Sequence, residues 1–140
     1  MRNEYFFRVA GLLFSVTLPG SWEVETLLPS FRPFRCGAKG MRIFRLIVTT
    51  QPFADDGKRT ELLGESSNDM GHVRLLRDID GYRMEIDNGS VENGMVHVMV
   101  ADSMFDYAMA YLRPEDPSMG TVLSSMIRIL YAQAVLEYDG

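Results

Sequence analysis

Two histidines, one cysteine and a run of arginines are the residues of this chain with chemistry to offer. His72 follows a glycine in NDMGHV (68–73), at a strand entry where backbone can come close to a partner. His97 stands inside MVHVMV (95–100), where strand alternation points it away from its immediate neighbours. It reads as an exposed or satisfied strand residue rather than a ligand. Cys36 with a histidine would make a thiolate–imidazole pair, but nothing in the spacing joins them, and an inert, partly buried thiol is the simpler reading. DIDGYRMEID (78–87) clusters carboxylates without the ligand positions of a calcium loop, and hairpin-turn chemistry accounts for Asp80-Gly81. Gly-rich phosphate loops, G-x-S-x-G and H-E-x-x-H are all missing from the sequence. No catalytic residue and no metal ligand is assigned.

The arginines are a different matter. LLPSFRPFRCGAKG (27–40) holds Arg32, Arg35 and Lys39, and Arg42 and Arg45 follow with no negative charge between 32 and 45, in a chain of net charge −5. Arg presents a planar fork that pairs bidentately with carboxylate or phosphate. One reading makes Arg32, Arg35 and Lys39, with His72, a site for an anion or an acidic partner. The other has Phe31 and Phe34 anchoring a rigid crossing segment while the arginines stay in water. Residues 78–116 have the opposite balance, nine carboxylates against Arg83 and Arg113. Such polarity steers a partner or simply marks two solvated faces.

The bulk properties narrow the setting. A chain of 140 residues is one domain able to bury a core, and its 46% hydrophobic and 24% charged residues are ordinary for a globular protein. One cysteine makes no intrachain disulfide and no zinc cage, which suits a reducing compartment. Glu4 and Arg8 interrupt the N-terminal apolar run, so it lacks a signal-peptide pattern. No stretch approaches about 18 uninterrupted apolar residues. The expectation is a cytoplasmic protein that engages neither membrane nor nucleic acid, since a pI near 5.0 argues against the general phosphate neutralisation that nucleic-acid binding leans on.

The elements that must position these residues are mostly strands. Residues 5–10 and 12–18 read as two strands, or one bent at Gly11. Ser21 is a candidate cap for a helical turn over 22–28 that Pro29 stops. Residues 41–50 form a strand whose imperfect alternation allows a bulge, and 60–71 are ambiguous. Two hairpins follow, 72–77 with 82–87 around Asp80-Gly81 and 95–101 with 104–112 around Asp102-Ser103. After Pro114 the period lengthens: Met119, Val122, Leu123, Met126, Ile127, Leu130 and Ala134 mark a helix, with Asp116 as candidate N-cap and Pro117 in its first turn. The expected fold is α+β, a mostly antiparallel curved sheet of about six or seven strands with a long C-terminal helix on one face.

LLPSFRPFRC, NDMGHVRLLRDIDGYRMEI and SSMIRILYAQAVLEYDG resemble the N-terminal region of bacterial P-loop proteins related to HPr serine kinase and ATP-dependent phosphoenolpyruvate carboxykinase. The resemblance implies that residues 1–140 are a non-catalytic accessory domain. A nucleotide-binding domain using ATP and Mg is then expected after residue 140, and this chain itself needs no cofactor. The domain would recognise a substrate or partner, position the nucleotide-binding domain, or form a homo-oligomer. Tyr131 and Tyr138 on the terminal helix are the candidate contacts to the following domain. The alternative is a stand-alone binding module whose Arg-rich loop holds an acidic ligand or protein.

Overall fold

The computed structural model describes residues 2–53, 61–68, 71–78, 80–87 and 96–139. Among them, nine strands form one sheet: β1 (Arg2–Val9), β2 (Leu12–Pro19), β3 (Arg35–Cys36), β4 (Arg42–Thr49), β5 (Glu61–Asn68), β6 (Gly71–Asp78), β7 (Gly81–Asp87), β8 (Val96–Asp102) and β9 (Tyr107–Tyr111). Two helices join them, α1 (Val24–Leu27) and α2 (Met119–Asp139), with a 3₁₀ helix over Pro29–Phe34. The strand order is β3-β1-β2-β4-β9-β8-β7-β6-β5. Most pairs are antiparallel, while β4 lies parallel to both β2 and β9. The α+β architecture is as expected; the strand count exceeds six or seven. The two unforeseen strands carry little pattern. β3 has two residues, and β5 is an edge strand whose residues 61–67 are all exposed, so no buried face imprints an alternation on it.

Local chemistry explains the turns. Ala10 and Gly11 both have positive φ, 51° and 79°, which closes β1 on β2 as a two-residue hairpin rather than one bent strand. Asp78 of β6 pairs with Gly81, which brings Gly81 into the ladder. Gly81 is therefore not the turn residue that Asp80-Gly81 suggested. It sits inside β7, where an added Cβ would overlap the Ala101 carbonyl oxygen of β8. In the β8–β9 turn the Asp102 Oδ1 accepts the N–H groups of Asp106 and Tyr107, at 3.1 and 3.4 Å. The expected bulge in β4 is present as a register shift opposite Leu13/Phe14.

The core lies between α2 and one face of the sheet. Register places Phe7, Phe14 and Phe44 in one row across β1, β2 and β4, with ring centroids stacked at 5.5 and 4.6 Å. Phe31 from the 3₁₀ helix meets the first two edge-on at 6.0 and 6.4 Å. Each such ring pair adds about 0.5–1.5 kcal/mol to simple burial. Val122, Leu123, Met126, Ile127, Leu130 and Ala134 of α2 are buried, the face their spacing specified. The close approach of α1 to α2 needs a glycine: a Cβ on Gly120 would lie 2.8 Å from the Leu27 carbonyl oxygen.

Two capping expectations are corrected. Ser21 does not cap α1, which is preceded by Glu23 with no side-chain cap. The first α2 carbonyl bond runs from the Val122 N–H to Ser118, so Ser118 occupies the cap position and Asp116 braces the turn before it. Averaged over residues 119–137, α2 has mean hydropathy 1.3 with a third of the stretch buried, long and apolar enough by composition to cross a membrane. It contains no long uninterrupted apolar run because Ser124, Ser125 and Arg128 break it.

Candidate functional site

Only residues 37–40 of the Arg-rich segment are loop. Pro29 at its start presets the backbone angle of the first turn, and Pro29–Phe34 wind as a 3₁₀ helix that drops Phe31 into the core. Its arginines already have partners. Arg35 Nη1 donates to Glu25 Oε1 at 2.8 Å, and its guanidinium lies 4.9 Å from the centre of the Tyr5 ring. Arg32 Nε is 3.8 Å from the other Glu25 oxygen, and its side chain is 79% exposed. Arg42 pairs with Glu4 over the Phe6 ring. Lys39 enters through its backbone, its carbonyl accepting Arg8 Nη2 at 2.6 Å. Three of the five cations of the run, Arg32, Arg35 and Arg42, thus have internal carboxylate partners, and of these Arg32 holds its partner loosely and in water.

Phe34 does not follow Phe31 into the core; it is 39% exposed. It stands instead at a half-open cavity of about 290 Å³ between the 3₁₀ helix, the end of β1 and α2. Val9, Phe14, Phe31, Phe34, Ile127 and Tyr131 give this cavity an apolar, largely aromatic lining, and Ser30 and Arg128 are its polar members. The Tyr131 ring meets Phe14 edge-on at 6.0 Å and its hydroxyl donates to the Val9 carbonyl at 2.9 Å, so the residue is held by its own sheet and helps wall the cavity. Arg128 is exposed and makes no hydrogen bond or ion pair to a described residue. The Tyr138 side chain lies outside the described residues.

His97 is satisfied, and fully buried rather than exposed. Its Nδ1 accepts the Arg113 backbone N–H at 3.2 Å, which leaves the proton on Nε2 to be donated to Asp116 Oδ2 at 2.7 Å. Asp116 Oδ1 accepts both the N–H and the hydroxyl of Ser118, at 2.8 and 2.7 Å. His97 is 0% and Asp116 3% exposed. Burial pushes the Asp116 carboxyl up, but the bonds from His97 and from the Ser118 N–H and hydroxyl outweigh it and hold the group below the ordinary aspartate range. This pair ties β8 to the start of α2. The Ser118 hydroxyl points to Asp116 and not to the imidazole, so Ser118, His97 and Asp116 do not form a nucleophile–base relay.

His72 and the arginines are not brought together. β3 and β6 are seven strand-to-strand steps apart, roughly 34 Å along the sheet at about 4.8 Å per step. The same separation removes the Cys36–His72 pair. His72 belongs to an ion row on the face of the sheet opposite α2. Its Nε2 is 3.1 Å from Glu65, and Arg74 lies 3.6 Å from Glu65 and 3.1 Å from Glu85, which also accepts Arg83 Nε at 3.0 Å. Register puts Glu65, Arg74 and Glu85 directly opposite one another across β5, β6 and β7. Alternating charge in such a row supports the pairing of an exposed edge strand.

A second cavity, about 380 Å³, opens near the β6–β7 and β8–β9 turns and is lined by Phe53, Tyr82, Arg83, Tyr107, Asp78 and Asp102 among others. Beside it a hydrogen bond with Asp102, with burial and the Asp102 charge adding to it, raises the Asp106 carboxyl above its ordinary value. Among the described residues, no group of three or more His, Cys, Asp or Glu could hold a metal ion. Sequence reasoning missed Ser30 and Arg128, because the cavity they border is assembled from residues about a hundred positions apart. The signal it could have used is the three-residue spacing of Phe31 and Phe34, which a 3₁₀ helix places on one face, so that both line the same wall, one in the core and one at its edge. Compared with protein-family models, with curated proteins and with solved structures, the chain matches none.

Proposed function

We propose that this chain is a non-catalytic binding module whose site is the cavity roofed by the 3₁₀ helix Pro29–Phe34. The observation that carries the proposal is the half-open aromatic cavity itself, with Phe34 left at its mouth. A concave, apolar, mostly preformed pocket with a few polar groups is the usual form of a small-molecule site. Two further observations favour binding over turnover. Both nitrogens of the buried His97 are occupied, and Cys36 and His72 stand near opposite edges of the sheet.

The resemblance to HPr-serine-kinase-like and phosphoenolpyruvate-carboxykinase-like proteins extends the proposal. The module would serve a following nucleotide-binding domain in the cytoplasm, by recognising a substrate or partner for it, by positioning it, or by assembling copies of it. ATP and Mg would belong to that domain. A stand-alone module binding an acidic ligand near the exposed Arg32 is the second reading. A ¹H–¹⁵N correlation titration with a fragment library tests the site: fragments should shift the amides of Ser30, Phe34 and Tyr131. Shifts confined to other regions, or turnover by the isolated chain abolished by changing one of its own side chains, would overturn the proposal. A P-loop motif encoded after codon 140 separates the accessory module from the stand-alone one.

A further inference from the structure

We infer that the cavity between the 3₁₀ helix and α2 selects a monoanionic amphiphile, a compact aromatic or aliphatic body bearing one carboxylate, with Arg128 as the residue that recognises the charge. The inference rests on the binding-module reading and names the ligand class of that same site. Three observations point to it. First, six of the eight lining residues are apolar or aromatic, so the body of the ligand must be apolar. The volume of about 290 Å³ sits at the small end for ligand pockets and suits a body of one or two rings.

Second, the rim has one cation. Arg128 projects from the solvent side of α2 beside Ile127 and Tyr131, and no described carboxylate or carbonyl engages it. The arginines nearest the 3₁₀ helix have partners: Arg8 bonds two carbonyls, Arg32 and Arg35 engage Glu25, and Arg42 engages Glu4. A single guanidinium matches a single carboxylate bidentately, while a phosphate dianion would bring a charge that this apolar wall cannot neutralise.

Third, the remaining polar lining residue is Ser30, exposed, with a hydroxyl able to donate to a carboxylate oxygen. The Tyr131 hydroxyl is committed to the Val9 carbonyl, which fixes the ring as a wall. The two exposed polar residues thus border the mouth together with Phe34, and the buried Phe14, Phe31 and Ile127 line the interior. That is the polarity of an amphiphile entering tail first.

The probes are 2-naphthoate and its neutral counterpart 2-naphthylmethanol, titrated into the full chain by calorimetry and by ¹H–¹⁵N correlation spectra. The acid should bind about tenfold more tightly than the alcohol, a preference that weakens with added salt because Arg128 is exposed. Arg128→Gln should erase that preference while leaving the alcohol affinity unchanged. Ser30→Trp, at an exposed position that the fold tolerates, should block both probes. Equal affinity for acid and alcohol, or an acid preference that survives Arg128→Gln, overturns the inference while the cavity reading stands. If neither probe shifts the amides of Ser30, Phe34 and Tyr131, and Ser30→Trp changes nothing, both the inference and the cavity reading fall.

Discussion

Replacing Asp116 by Asn alters one atom in a buried turn and should cost about 3 kcal/mol. The carboxylate offers two acceptors, one to His97 and one to the Ser118 N–H and hydroxyl. An amide offers one acceptor and one donor. With its oxygen toward His97, the new NH₂ meets the Ser118 backbone N–H. Turned the other way, it meets the Nε2–H of His97. The histidine cannot escape by moving its proton to Nδ1, because that atom already faces the Arg113 N–H at 3.2 Å.

One buried donor is therefore stranded, at about 1–3 kcal/mol, and the charge-assisted bond to His97 is lost as well. The His97 and Asp116 side chains are 0% and 1% exposed, so solvent screening does not soften the loss. At about 2.1 cal/mol/K per residue, 140 residues unfold with about 0.29 kcal/mol/K, and 3 kcal/mol lowers Tm by about 10 °C. The pH dependence gives a second reading. The carboxyl is held below its unfolded value of about 3.9, so its contribution is complete above that value and is lost as pH falls through the folded one. The Tm gap between wild type and Asp116→Asn should be full and level from about pH 5 to 7 and narrow once pH falls below about 3.9. Thermal melts across this range measure it. A variant within about 2 °C of wild type at pH 7, or a gap independent of pH, refutes the reasoning.

Four further outcomes follow from backbone geometry and charge. Gly81→Ala should abolish cooperative folding or cost more than about 3 kcal/mol in urea titration, because the new Cβ meets the Ala101 carbonyl in the adjacent strand. Ala10→Asn should raise Tm by about 2–3 °C, since residue 10 is held at φ 51° in a two-residue hairpin where Asn is better suited. Gly120→Ala should lower stability by about 1–2 kcal/mol despite the better helix propensity of Ala, because the Leu27 carbonyl at 2.8 Å is backbone and must be pushed aside. Arg32→Ala should leave the melting curve within about 0.5 kcal/mol of wild type, as its ion pair is long and exposed.

The terminal helix was legible in the sequence because its period is a property of consecutive residues. Six of its seven predicted apolar positions are buried, and Met119 packs against the core from a partly buried site. The two hairpins were legible for the same reason, although Gly81 was assigned a turn it does not make. β5 was not, since an edge strand with both faces in water has no alternation to display. The Arg-rich segment was half legible: Phe31 anchors as expected, whereas Phe34 lines a cavity. Which cations hold partners could not be read at all. Glu25 and Glu4 lie ten and thirty-eight residues from the arginines they engage.

Residue order alone settled the α+β class, the helix and its buried face, and the absence of a Gly-rich phosphate loop, G-x-S-x-G and H-E-x-x-H. Those are short-range properties, decided by backbone preferences and by the burial of every second, third or fourth side chain. Tertiary packing decided the rest: that β4 runs parallel between β2 and β9, that His97 finds Asp116, and that Ser30 and Arg128 border one cavity. Such meetings join residues far apart along the chain, and only the closed sheet-and-helix core brings them within the few ångströms over which hydrogen bonds and charges act.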